Sequence, residues 1–212
     1  MDITWYGGGC FALKGSELLV VTEPLDDAGK PLQGIPKADV YTVSKASPER
    51  TELQPLQPKR KTLAGPGEYE IAGVFMNAVR TFRDEQKGAT KGTNTCYRYT
   101  IDGVRIAHLG AIGHVLTSDQ AKGVGDIDIL IIPIVEGGLS AAAASETIRM
   151  LEAKIVIPAP QGNAKAMADS PAVAKFFKEL GVTPQPPMQR LVVNPALLSG
   201  EQRIMLLERS TA

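Results

Sequence analysis

The stretch Ile129-Leu130-Ile131-Ile132-Pro133-Ile134 carries no polar side chain. A strand with one face in water alternates apolar and polar residues. A run without alternation belongs to a strand covered on both faces. Such a strand implies a sheet with helices laid over it, and the flanking sequence supplies them. Ser140–Ala153 is alanine-rich and reads as a helix with Ile148 and Leu151 facing inward. Ile155–Pro158 is a second buried strand. Ser170-Pro171 then places an N-cap ahead of a first-turn proline. Val173, Phe176, Phe177 and Leu180 follow at helical spacing, with Gly181 as the C-terminal glycine. Upstream, Thr117 and Gln120 form a capping-box pattern, which predicts a short helix ending at Gly123 or Gly125. Leu191–Val193 and Ile204–Leu207 are candidate closing strands.

The first half of the chain reads as short strands separated by turn signals. Asp2–Tyr6 alternates around Ile3 and Trp5, Gly7-Gly8-Gly9 breaks it, and Cys10–Leu13 resumes. Gly15 marks a tight turn into Leu18–Thr22, and Asp39–Ser44 is rich in β-formers. After the turn signal Ala64-Gly65-Pro66-Gly67, a hairpin is predicted from Tyr69–Ile71 and Val74–Thr81 across Ala72-Gly73. A second joins Thr95–Ile101 to Val104–Leu109 across Asp102-Gly103, a pair suited to a tight type I′ turn. Between them, Asp84–Asn94 is polar and contains glycine, and is expected to be a mobile surface loop. A β meander followed by alternating strands and helices predicts an α/β fold: mixed sheets covered by helices, in one domain over residues 1–212.

Composition narrows the function classes. At 212 residues and 43% apolar, the chain sustains one well-buried core. Its 23 basic and 23 acidic residues leave a formal charge of +0, so no global field favours nucleic acid or an anionic membrane surface. Lys59-Arg60-Lys61 is the local exception, and a solvated loop is its plainer reading. No apolar run approaches the ~20 residues needed to cross a bilayer. The start, Met-Asp-Ile-Thr-Trp, lacks the basic and apolar regions of a leader, so the cytoplasm is the expected location. Cys10 and Cys96 sit in strand-like runs and are expected to be reduced core thiols.

Several segments together resemble the metallo-β-lactamase superfamily, in its ascorbate-6-phosphate lactonase-like branch. They are Trp5-Tyr6-Gly7-Gly8-Gly9-Cys10-Phe11, Val20-Val21-Thr22-Glu23-Pro24 and Gly65-Pro66-Gly67-Glu68-Tyr69-Glu70-Ile71. His108-Leu109-Gly110-Ala111-Ile112-Gly113-His114 and Ile155-Val156-Ile157-Pro158 continue the match in order. The resemblance implies an αββα sandwich, two mixed sheets face to face with helices outside. In active relatives the loops at one edge bind one or two metal ions, usually zinc, which activate a water for attack on an ester, lactone or phosphoester.

The same resemblance implies that the ligands are gone. The first loop carries Gly8 where a His is usual. The signature His-x-His-x-Asp-His falls on Lys45, Ser47, Glu49 and Arg50, and the next His falls on Arg83, with Asp84 beside it. The bridging aspartate falls on Ala111, and the last His near Pro160. Lys and Arg have no lone pair to offer a metal at neutral pH. No metal and no cofactor are therefore expected. Three cations set against Glu49 leave a formal charge of about +2 in that mouth, close to that of two divalent ions held by two aspartates. Lys45, Ser47, Arg50, Arg83 and His114 are thus the candidate ligand-binding residues, for a small anionic ligand. Salt bridges from Lys45 and Arg50 to Glu49, Asp84 or Glu68 are the plainer account.

Other motifs have plainer readings too. Gly7-Gly8-Gly9 feeds a strand rather than a helix, so a turn explains it better than a phosphate loop. His108 and His114, the only histidines, read as hydrogen-bonded structural groups. Cys10 as nucleophile and a Ser44/Lys45/Ser47 serine–lysine site lack the partners their chemistry needs. Three functions compete. One is a degenerate fold acting as a binding or scaffold protein, through an unknown protein partner or self-association. The second is a metal-free enzyme or anion binder using the cationic mouth. The third is a metal hydrolase whose ligands lie elsewhere in the sequence.

Overall fold

The computed structural model describes residues 1–26, 29–45, 61–135, 138–160 and 165–211. Tight turns set the register of the strand-rich half. Asp102 and Gly103 both take positive φ (50° and 77°), the left-handed pair that a type I′ turn requires. They join strands Thr93–Ile101 and Val104–His108. Ala72 and Gly73 (48° and 74°) do the same between Gly67–Ile71 and Val74–Phe82. The Gly7–Gly9 segment turns the first strand, Asp2–Gly7, back into the second, Cys10–Lys14.

In chain order the strands are β1 (Asp2–Gly7), β2 (Cys10–Lys14), β3 (Leu19–Thr22), β4 (Val40–Val43), β5 (Lys61–Ala64), β6 (Gly67–Ile71), β7 (Val74–Phe82), β8 (Thr93–Ile101) and β9 (Val104–His108). They continue as β10 (Ile129–Ile134), β11 (Ile155–Pro160), β12 (Leu191–Val192) and β13 (Arg203–Ile204). One sheet has the order β12-β1-β2-β3-β4-β5 and the other β13-β11-β10-β9-β8-β7-β6. Both are mixed. β1, β2 and β3 pair antiparallel, then β3-β4 and β4-β5 parallel. β6 to β9 form an antiparallel meander, after which β9-β10, β10-β11 and β11-β13 are parallel.

Three α-helices flank the second sheet among the described residues. α1 (Ser118–Val124) has the expected capping box: the Gln120 amide donates to Thr117 Oγ1 at 3.2 Å, and Gln120 Oε1 accepts the Thr117 amide at 3.0 Å. α2 (Ala141–Leu151) is capped by Ser140, whose hydroxyl accepts the Ala143 amide at 3.2 Å. α3 (Pro171–Leu180) buries Val173, Phe176 and Phe177 and ends at Gly181 with φ 64°. Ser170 holds the N-cap position of α3, but its side chain makes no capping bond. α1 lies on β7 and β8, and α2 and α3 lie on β10 and β11. The resulting architecture, two mixed sheets flanked by helices, is that of the αββα sandwich.

Every residue of β10 and β11 is buried, as the missing alternation predicts. The inner faces of both sheets share one core that includes Trp5, Phe11, Tyr99, Ile106 and Ile131, each 0% exposed. Each large apolar side chain so buried contributes about 1.5–3 kcal/mol. Two tyrosine hydroxyls inside are paired across the sandwich. Thr42 Oγ1 and the Tyr99 hydroxyl lie 2.7 Å apart, and the Tyr97 hydroxyl donates to the Val43 and Leu63 carbonyls. A smaller cluster (Tyr6, Cys10, Val21, Leu25, Tyr41) fills the outer side of the first sheet against Leu32 and Ile35.

Three sequence expectations are adjusted. β5 lies in a stretch that showed no strand signal. The closing strand expected over Ile204–Leu207 is Arg203–Ile204, after which the chain continues through bridges to Met188 and Trp5. The Asp84–Asn94 loop is closed by a dense set of hydrogen bonds to its own first residue. No helix among the described residues is long and apolar enough to cross a membrane.

Candidate functional site

Strand direction gathers the candidate residues. β1, β3 and β4 run one way in the first sheet, and β7, β9, β10 and β11 run the same way in the second. The loops that follow them meet at one end of the sandwich, where the two sheets are tied together. His108 makes one tie. Its Nε2–H donates to the Gly9 carbonyl at 2.9 Å, and its Nδ1 accepts the Gly110 amide at 3.0 Å. An accepting Nδ1 fixes the neutral tautomer with the proton on Nε2. Burial pushes the pKa of this ring down to about 4. The Phe11 ring meets it edge-on at 5.9 Å.

His114 is committed in the same manner. Nε2 accepts the Phe82 amide at 3.1 Å, and Nδ1–H donates to the Val115 carbonyl at 2.6 Å. Asp84 gives both oxygens to its own loop. Oδ1 accepts from the Gln86 and Gly88 amides, and Oδ2 from the Thr90 and Lys91 amides, at 2.6–3.1 Å. These donors, the Lys91 amide foremost, hold its carboxyl below the usual range. Glu23 Oε1 accepts the Ser44 amide across the β3–β4 end. Asn94 links β8 to the β9 loop: Nδ2 donates to Thr81 Oγ1 and the Leu109 carbonyl, and Oδ1 accepts the Ala111 amide.

Two glycines let this loop seat. A Cβ at Gly110 would stand 2.3 Å from Ser44 Cβ, and one at Gly113 would stand 2.1 Å from the Arg83 carbonyl oxygen. Gly110 therefore marks a close approach between the two sheets, and Gly113 one between the loops after β7 and β9 of the second sheet.

The candidate residues are distributed as follows. Arg83 and Ser44 both border the 109–113 loop. Arg83 Nη1 donates to the Lys91 carbonyl at 2.9 Å, while its Nε is buried without a partner among the described residues. Ser44 Oγ is likewise buried and unpaired among them. Lys45 follows Ser44 and is half-buried. Ser47, Glu49 and Arg50 lie outside the described residues, so their place is not assigned. Gly8 (φ 52°) accepts the Trp5 indole N–H on its carbonyl, Ala111 gives its amide to Asn94, and Pro160 ends β11.

Burial works against a nucleophilic role for either cysteine. Burial pushes the Cys10 thiol far above its ordinary range and the Cys96 thiol up to about 12. Both are free and buried.

Two residues at this end escaped the sequence reading. Glu23 was visible only as part of a motif, and its role depends on Ser44, 21 positions away. Arg209 donates its Nε–H to the Tyr6 carbonyl at 3.1 Å, across 203 positions. No local pattern reports such a contact.

Among the described residues, no group of three or more His, Cys, Asp or Glu side chains is placed to hold a metal ion. Both histidines spend both ring nitrogens on backbone groups, and Asp84 spends both oxygens. The described residues do not fit the metal.

Comparison with known proteins places the fold. A family model for the beta-lactamase superfamily domain matches residues 2–160. The chain belongs to the beta-lactamase superfamily. Among solved structures, a candidate Zn-dependent hydrolase of the metallo-beta-lactamase superfamily from Thermotoga maritima is 27% identical. The match covers 96% of each chain, with a TM-score of 0.72. A candidate metal-dependent hydrolase from Parabacteroides distasonis is 18% identical over 85% of this chain and 89% of its own, with a TM-score of 0.60. An isothiocyanate hydrolase from Delia radicum gut bacteria is 12% identical over 91% and 99%, with a TM-score of 0.64. The latter two show the fold alone. No curated protein matches the sequence.

Proposed function

We propose that the chain is a degenerate metallo-β-lactamase-fold protein without metal-dependent hydrolase activity, retained as a binding or scaffold protein. The observation that carries this reading is the commitment of the polar groups at the strand ends. His108, His114, Asp84 and Glu23 all accept from or donate to backbone groups. A metal ligand must instead keep its lone pair for the ion. Gly8, Lys45, Ser47, Arg50, Arg83, Ala111 and Pro160 stand at the ligand positions of the ascorbate-6-phosphate lactonase-like branch, which we take as its nearest kin. The same reading treats residues 1–212 as one cytoplasmic domain. Its partner is a protein, or a second copy of itself, rather than nucleic acid or membrane.

The test is turnover of simple phosphoester and lactone substrates with and without added zinc. Rates at the uncatalysed level, unchanged by zinc, are expected. Zinc-dependent turnover would instead favour a working metal hydrolase like those its neighbours are named for.

A second reading has its own support. Ser44 Oγ and Arg83 Nε are buried without partners among the described residues, and an unpaired buried donor is costly. A small anion bound beside Arg83 and Lys45 would satisfy them, with Ser47, Arg50 and His114 the further residues that the resemblance assigns to this mouth. The mouth would then serve as an anion-binding site or a metal-free active site. Its mark is anion binding or substrate turnover that Arg83→Ala abolishes; binding unchanged in that variant removes the reading.

A further inference from the structure

A cleft of about 810 Å³ opens at the same end of the sandwich, beside the first loop. On one side it is walled by Gln33 and Gly34, and on the other by Lys165, Asp169 and the tail from Glu208 onward. The register of two segments decides which side chains face inward. Ala166 and Glu208 form an antiparallel bridge. It is closed by the Met167 amide to the Leu207 carbonyl and the Arg209 amide to the Lys165 carbonyl. Lys165 therefore stands directly opposite Arg209, with Cα atoms roughly 5.5 Å apart.

Side chains two apart along an extended segment share a face. Ala166 is extended, with φ −133° and ψ 155°, so Lys165 lies on the side of Met167. Met167 and Leu207 are both 0% exposed and point into the core. Lys165 and Arg209 thus share the face of that buried pair, Lys165 exposed at the cleft and Arg209 half-buried, while Glu208, also in the lining, sits on the opposite face of the bridge. Arg209 leans over the first loop, its Nε–H on the Tyr6 carbonyl, and a Cβ at Gly7 would meet its guanidinium at 3.0 Å.

Two like charges directly opposite on one face repel. Among the described residues neither cation forms a salt bridge. Of the two acids in the lining, Asp169 spends Oδ2 on the Ala166 amide, and Glu208 pairs with neither cation among the described residues. We propose that Lys165 and Arg209 form an oxyanion-binding pair, and that the cleft takes a small molecule bearing a phosphoryl or carboxylate group. An oxyanion between them accepts from both, and it relieves their repulsion. This proposal does not rest on the fate of the metal site or on Arg83.

Titration of inorganic phosphate into the full chain, with ionic strength held constant, tests it. A saturable rise in the thermal unfolding midpoint is expected. Lys165→Gln and Arg209→Gln should each weaken the apparent affinity about ten-fold or more. Lys175→Gln, at an exposed position of α3, should leave it unchanged. Lys165→Gln is the deciding variant, because the Lys165 side chain makes no hydrogen bond among the described residues and its loss leaves the Tyr6 contact intact. Acetate in parallel identifies the carboxylate class, and a response to either anion supports the pair. No response to both, a response undiminished in Lys165→Gln, or a response lost in Lys175→Gln would overturn it.

Discussion

His108 joins two segments 99 positions apart, holding Gly9 of the first sheet and Gly110 beyond β9. The sequence shows it only as one of two histidines in a glycine-rich stretch. Its partners are backbone atoms, which leave no trace in residue types. Its burial has a consequence in solution. The folded ring has a pKa of about 4 against an ordinary 6.5, so between these values the unfolded chain binds a proton that the folded chain refuses. This contribution to stability is complete above about pH 6.5 and is lost as pH falls toward 4. The full span is worth about 3 kcal/mol. Urea unfolding midpoints between about pH 7 and 5, above the ordinary carboxylate range, should fall with pH. His108→Gln should flatten that slope; an unchanged slope would show that His108 is not its source. The neighbouring close approach makes a second prediction. Gly113→Ala places a methyl against the Arg83 backbone, which cannot swing aside, and should cost about 3 kcal/mol or more by chemical denaturation.

Helix caps of similar sequence appearance differ at the level of the element. Thr117 and Ser170 both precede helices and both read as N-caps. Thr117 makes the reciprocal bonds of a capping box, whereas the Ser170 side chain makes none. Thr117→Ala should therefore destabilise by about 1 kcal/mol, and Ser170→Ala by a few tenths at most. Equal losses in thermal unfolding would contradict the assignment. The hairpins were readable because glycine in left-handed turns and alternation along strands are local signals. β10 and β11 were readable because burial on both faces removes alternation. β5 was not, since a four-residue edge strand takes its identity from β4 beside it. The Asp84–Asn94 loop misled for a related reason. Polar composition reports exposure, while its order comes from one carboxylate collecting four amides.

Across the whole molecule, the two sheets meet over a shared apolar core and are tied at one end by the His108–Gly9 bond and by the Thr95 amide on the Ser44 carbonyl. Within each sheet, Glu23 joins the ends of β3 and β4, and Asn94 joins β8 to β7 and to the loop after β9. The family and its sandwich were legible in the order of glycine, proline and apolar motifs. The commitments of His114 and Asp84 and the reach of Arg209 emerge only when the chain is folded. The central claim is that this end of the fold does not depend on a metal, and metal content tests it most directly. The full chain, purified from zinc-supplemented medium, is analysed by mass spectrometry, and its unfolding midpoint is compared with and without a strong chelator. The account predicts less than about 0.1 equivalent of zinc and the same midpoint in both conditions. About one or two equivalents of zinc, with a midpoint that drops on chelation, would contradict it.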